Sequence, residues 1–162
     1  MIIENNFFID THLFFKKVSK KFILPNIGKL NKIDISDKPD LSKVTKFDLL
    51  VENELVEYFN KCNFNNIISE EHSSNLLKEN SYLTIDPIDG TRNFINGINK
   101  VVIMVSYIEN EVSIFSIIYD PVEDLFYHTY NNIIYKNYIE IKNTKNEKHI
   151  GYLGDHAKIY IK

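Results

Sequence analysis

Between Asp86 and Phe94 the chain reads Asp-Pro-Ile-Asp-Gly-Thr-Arg-Asn-Phe, placing two carboxylates, a proline, a glycine and a hydroxyl in one short stretch. Hard cations such as Mg²⁺ take oxygen ligands in near-octahedral geometry and share one or two carboxylates with a substrate phosphate. Asp86, Asp89, the Ile88 carbonyl and the Thr91 hydroxyl offer such a set. Pro87 fixes its own φ and biases Asp86 toward an extended conformation, so a strand over Tyr82 to Ile85 is predicted to deliver Asp86 at its end. Gly90 has no Cβ and lets the backbone approach an anion. A bare Asp-x-x-Asp-Gly would read as a turn with solvated aspartates. The whole nine-residue run reads as a metal and phosphate site, to be confirmed by its surroundings.

Those surroundings carry further acidic and hydroxyl groups in order. Upstream lie Ile68-Ser69-Glu70-Glu71 and, before it, Lys38-Pro39-Asp40-Leu41-Ser42-Lys43-Val44-Thr45-Lys46-Phe47-Asp48; downstream lies Ile118-Tyr119-Asp120-Pro121-Val122-Glu123-Asp124-Leu125-Phe126. Together with the nine-residue run, these segments resemble the inositol monophosphatase superfamily, the Mg²⁺-dependent, lithium-sensitive sugar and nucleotide phosphatases. The first is similar to the family's Gly-Glu-Glu segment with Ser69 in place of glycine. The second is similar to its Lys-x-Asp-x-Ser-x-Val-Thr-x-x-Asp pattern, and the third to its Val-Tyr-Asp-Pro strand and turn. The likeness runs from Lys38 to about Ile141.

The resemblance implies an α+β layered fold of the sugar-phosphatase type, with helices packed on a large antiparallel sheet, of which this chain is the N-terminal half. It implies a phosphomonoesterase in which Glu70, Asp86, the Ile88 carbonyl and Thr91 hold Mg²⁺, with a second metal at Asp86 and Asp89. Asp48 would pair with Thr91 to deprotonate the attacking water, so Asp48, Thr91 and Glu70 form the catalytic set. The N–H groups of Gly90 and Thr91 would take the phosphate oxygens. Lys38 matches a lysine on a loop near the family's site; a loop lysine is otherwise a solvated charge. The family's Trp-Asp-x-Ala-Ala helix, which supplies a third carboxylate, has no counterpart here. Residues 155–162 resemble the strand before that helix, while a rival alignment makes Asp155-His156-Ala157 a degenerate copy of the motif and Asp155 the third ligand. Asn93-Phe94 with Gly97 points to a small phosphorylated metabolite such as inositol monophosphate, and Ser42-Lys43-Val44-Thr45 to a 3'(2'),5'-bisphosphate nucleotidase. The alternative is a non-catalytic, truncated remnant that retains metal or anion binding.

Composition sets bounds independent of any family. The 162 residues, 44% hydrophobic and 13% aromatic, suffice for one core and one domain, here expected over 1–162 and incomplete at the C-terminus. Net charge is −3 with lysines and acids interspersed, which gives no basic face for nucleic acid and points to a small-molecule partner. Cys62 is alone and cannot form an internal disulfide, as suits a reducing cytoplasm. No apolar run reaches the roughly 18 residues that span a bilayer, and Met1 to Asn6 lacks the pattern of a leader. A soluble, cytoplasmic protein is expected. A half-fold would leave an uncovered sheet edge and apolar face, so a homodimer or larger species is expected as well.

The elements that position the candidate groups follow from periodicity. Phe7, Phe8, Phe14, Phe15, Val18 and Phe22 recur at helical spacing, predicting a first helix that stops before Pro25, with His12 at its boundary. Asn26 to Ser42 is polar and is predicted to be a loop. Thr45 with Asp48 three residues on predicts a capping box opening a second helix, whose apolar positions are read as Leu49, Leu50, Val56 and Phe59. Asp48 would then satisfy orphan N–H groups, a role compatible with catalysis. Val101 to Ile108, Val112 to Tyr119 and Leu125 to Tyr130 predict an antiparallel meander, followed by weaker strand candidates around Tyr135, Tyr138 and Ile141.

Overall fold

The computed structural model describes residues 6–71 and 80–142. Helix α1, Phe7–Val18, continues through one π-helical turn at Ser19–Ile23, and Pro25, with no N–H to extend the ladder, follows. Its aromatic stripe lies in the core as the spacing predicts: Phe15 and Val18 are buried, and Phe7, Phe8, Phe14 and Phe22 pack against them. His12 sits at the boundary, stacked on Phe126 at 4.7 Å with Nδ1 2.6 Å from the Tyr138 hydroxyl.

The stretch predicted as a loop contains structure of its own. A 3₁₀ turn, Lys32–Asp34, leads into β1, Ile35–Asp37, which pairs antiparallel with β2, Lys43–Thr45. Backbone pairing needs no apolar side chains, so polar composition concealed this hairpin. Its tip is closed by Lys38 N–H donating to the Ser42 carbonyl at 2.9 Å, with Leu41 at φ 68°.

Helix α2, Lys46–Lys61, begins at the predicted capping box: Thr45 is the N-cap and Asp48 the N3 residue. The inward face differs from the expectation. Val51, Leu55 and Phe59 are buried, in line with Asp48 and Glu52, whereas Leu49 and Leu50 stand 38% and 40% exposed. At 100° per residue, a face anchored on buried Asp48 passes through positions 51, 52, 55 and 59 and excludes 49 and 50. The buried carboxylates had masked the stripe.

The sheet has seven strands in the order β3-β4-β5-β6-β7-β8-β9. These are Ile67–Ser69, Ser81–Asp89, Val102–Glu109, Val112–Asp120, Leu125–Tyr130, Ile133–Lys136 and Ile139–Glu140. β3 runs parallel to β4 and every other neighbour is antiparallel, so the predicted meander is present and the short parallel β3 is an addition. Three hairpins turn on two-residue loops with both residues at positive φ: Asn110-Glu111, Asn131-Asn132 and Asn137-Tyr138. Asparagine, which tolerates this conformation, fills the first position of all three turns, and Glu111, Asn132 and Tyr138 stand at the second, where glycine is usual. Leu83, Ile85, Ile103, Val105, Phe115, Ile117, Tyr119 and Phe126 form the buried face of the sheet, on which α1 lays Phe7 against Phe115 and Phe8 against His128. The other face carries a hydroxyl row, with Ser106 and Ser116 Oγ atoms 2.7 Å apart. No described helix is long and apolar enough to cross a membrane.

Candidate active site

The two aspartates of the signature are three residues apart, and in a regular strand they would point to opposite faces. Strand β4 does not end at Asp86 as predicted; it runs through Pro87 to Asp89. Its register against β5 slips between Asp86, opposite Met104, and Asp89, opposite Val102. Three steps on β4 therefore match two on β5, a bulge that brings Asp86 and Asp89 to the same face. Pro87 is tolerated there because a bulged residue leaves the ladder.

Gly90 then turns the chain at φ 90°, and α3 covers Thr91–Asn96. A Cβ on Gly90 would stand 2.7 Å from the Lys100 carbonyl oxygen, so positive φ and close backbone packing both demand glycine. The turn aims Thr91 back toward β4 and α2. Its hydroxyl lies 3.1 Å from the Ile88 carbonyl oxygen and 3.3 Å from Asp48 Oδ1, and shares one proton between these two acceptors. Asp48 divides its labour by oxygen: Oδ2 accepts from Thr45 N–H at 2.8 Å and from the Thr45 hydroxyl, while Oδ1 faces Thr91. Burial pushes the Asp48 carboxyl up to about 6, against the opposing hydrogen bonds from Thr45 and Thr91.

Glu70 follows β3 directly, its N–H donating to the Ile85 carbonyl at 3.1 Å, one residue before Asp86. Lys38, on the tip of the β1–β2 hairpin, places Nζ 2.9 Å from Glu70 Oε1 and 2.8 Å from Glu71 Oε2. It is an ion-paired member of the cluster, not the solvated loop charge of the alternative reading. Burial alone would lower its pKa, but the two carboxylates reverse that and push it up to about 12.

Asp86 is the most perturbed of the group. Burial, with repulsion from Glu70, Asp89 and Asp48, pushes its carboxyl up to about 9, and its buried Oδ1 has no hydrogen-bond partner among the described residues. A buried carboxylate oxygen without a donor, facing other acids, is the environment a divalent cation relieves. As they stand, no three acidic, histidine or cysteine side chains among the described residues close on a single point. The fit to Mg²⁺ is in donor type, shared face and uncompensated charge. Glu70, Asp86, the Ile88 carbonyl, Asp89 and Thr91 are thus gathered at one end of β3 and β4. Asp155 lies outside the described residues.

The sequence reading missed Glu52. It sits one helical turn after Asp48, is 1% exposed, and accepts the Glu71 N–H at 3.0 Å, so it ties the Glu70-Glu71 segment to α2. An acid four residues after Asp48 on a helix's buried side was the available signal. Glu52→Ala should lower stability by about 1–3 kcal/mol, the cost of an unsatisfied buried donor, and raise the Mg²⁺ concentration needed for half-saturation. Glu52→Gln keeps an acceptor oxygen and should restore most of both, as melting curves and Mg²⁺ titrations will read; equal loss in the two variants would contradict the assignment.

A family model described as the inositol monophosphatase family matches residues 14–151. The 3'(2'),5'-bisphosphate nucleotidase CysQ of Buchnera aphidicola is 32% identical over 108 residues, 64% of this chain and 41% of that protein. A fructose-1,6-bisphosphatase/inositol-1-monophosphatase of Methanocaldococcus jannaschii is 30% identical over 115 residues, 70% of this chain and 45% of that one. Among solved structures, a Ca-bound IMPase family protein from Staphylococcus aureus gives a TM-score of 0.72 at 19% identity, over 91% of this chain and 56% of its own. The chain spans about half the length of the relatives it matches. The matched span takes in the capping-box aspartate, the Glu70 segment and the bulged Asp-Pro-Ile-Asp strand together, and the chain belongs to the inositol monophosphatase family.

Proposed function

We propose that this chain carries the water-activating half of a Mg²⁺-dependent phosphomonoesterase acting on a small phosphorylated metabolite such as inositol monophosphate. The observation that carries the reading is the buried Asp48 Oδ1, 3.3 Å from the Thr91 hydroxyl. When bound, Mg²⁺ supplies Lewis-acid activation of water and neutralises phosphoryl charge. Glu70, Asp86, the Ile88 carbonyl, Asp89 and Thr91 would hold it. Thr91 accepts the proton of the attacking water as its own passes to Asp48, whose carboxyl, pushed up to about 6, is basic enough to take it near neutrality. The N–H groups of Gly90 and Thr91 would receive the phosphate oxygens, and the carboxylates beside them would repel phosphate from that one position until a cation is present.

A second reading is favoured by the 32% identity to a protein named as a bisphosphate nucleotidase: hydrolysis of a 3'(2'),5'-bisphosphate nucleotide. Cytoplasmic residence and homodimerisation belong to the same proposal, supported by the lone Cys62 and by Ile139, 73% exposed in edge strand β9. The test is phosphate release from inositol monophosphates, fructose 1,6-bisphosphate and adenosine 3',5'-bisphosphate over a range of Mg²⁺. Preference for the inositol ester supports the first reading and preference for the nucleotide supports the second. Background turnover that Thr91→Ala leaves unchanged would favour a non-catalytic member that retains metal or anion binding.

A further inference from the structure

A cavity of about 550 Å³ opens between the β1–β2 hairpin and α3, on the flank of the site. Lys32, Lys43 and Arg92 line it together with Asp37, and Ile35 and Ile95 form apolar wall. Three cations against one carboxylate leave a local excess of positive charge in a protein whose formal net charge is −3. Asp37 is already committed to Lys43 as an ion pair. Arg92 is the only arginine among the 162 residues, and the side chains of Arg92 and Lys32 form no hydrogen bond or ion pair among the described residues. A guanidinium presents a rigid fork of donors that matches a tetrahedral oxyanion in a way an ammonium does not. Arg92 follows Thr91 on α3, and the 100° rotation between successive helical residues turns it to the helix flank while Thr91 faces Asp48.

We infer that this cavity is a second anion site that binds a phosphate group, with Arg92 as its fork and Lys43 and Lys32 as charge partners. Its ligand is either free inorganic phosphate or a second phosphoryl group on a molecule whose first lies at Thr91. Only the latter source rests on the proposed phosphatase activity.

The test uses the full ¹⁵N-labelled chain, in which a single arginine gives one side-chain Nε–H resonance. Inorganic phosphate added in the presence of EDTA should displace this resonance saturably, and chloride at matched ionic strength should not. Lys32→Ala and Lys43→Ala should each raise the dissociation constant about tenfold, the value of one charge-assisted hydrogen bond. A displacement equal to that given by chloride, or one unaffected by either substitution, would overturn the inference. With Mg²⁺ present, fructose 1,6-bisphosphate acting at a concentration tenfold or more below that of phosphate identifies a second phosphoryl group as the ligand; equal potency identifies the free anion. If no ester is hydrolysed and the Arg92 resonance still titrates with phosphate, the proposed activity fails and the anion site stands.

Discussion

Asp86→Asn should make the metal-free protein more stable and remove the stabilisation that Mg²⁺ confers on the wild type. The carboxyl of Asp86 rises from an ordinary 3.8 to about 9 through burial and through repulsion from Glu70, Asp89 and Asp48. A carboxyl whose folded pKa lies above its unfolded value contributes stability that is fully present below about 3.8 and lost as pH rises through about 9. The metal-free wild type should therefore weaken across that window, while the asparagine variant, which resembles the protonated acid, loses less. Mg²⁺ reverses the sign by stabilising the ionised form. At a hundred times its dissociation constant it should add about 2.7 kcal/mol to the wild type and little to Asp86→Asn. Asp120→Asn is the control, because Asp120 Oδ1 only caps the turn, accepting Val122 and Glu123 N–H groups at 2.8 and 3.1 Å. Melting curves with and without Mg²⁺ at several pH values check this. An equal Mg²⁺ response in the two variants would remove Asp86 from the metal site.

Asp48→Asn and Thr91→Ala should each reduce turnover by roughly 10² to 10⁴, the range of a positioned general base. The two losses should not add, since both substitutions break the same proton path. With Asp48 as base, kcat/KM should rise with pH along a limb set by a carboxyl pushed up to about 6 in the metal-free protein, and lower once a cation is held beside it. Asp48→Asn should flatten that limb. It also removes a buried cap, so Asp48→Asn is read beside Thr91→Ala, which leaves the Thr45 capping bonds in place. A profile that keeps its ascending limb in Asp48→Asn would assign the base elsewhere.

The parts of this molecule legible in the sequence are those in which local chemistry and tertiary structure agree. Thr45 and Asp48 spelled a capping box and form one; the aromatic spacing of α1 spelled a buried stripe and is one; the β-branched runs after Val101 spelled a meander. The sequence hid what depends on partners distant along the chain. Asp86 and Asp89 are legible as candidate ligands by residue type, but that they share a face rests on a bulge, which is a property of β4 against β5 and not of either alone. Hydrophobicity alone points Leu49 and Leu50 inward, on a helix that buries Asp48 and Glu52 instead. Lys38 could not be told from a solvated lysine, since Glu70 and Glu71 lie 32 and 33 residues away. β3, three residues long and parallel to a strand that begins 12 residues later, carried no periodic signal at all.

The groups at the end of β4 are proposed to form a cation-dependent hydrolytic centre in which Thr91 and Asp48 move the proton. Its most direct test is the Mg²⁺ dependence of phosphate release from inositol monophosphate, measured side by side for the wild type, Thr91→Ala and Asp86→Asn. The expected result is saturable activation of the wild type, a roughly 10²-fold or greater loss in Thr91→Ala, and a shift of the Asp86→Asn curve to higher Mg²⁺. Release that is independent of Mg²⁺, or identical in all three proteins, would contradict it.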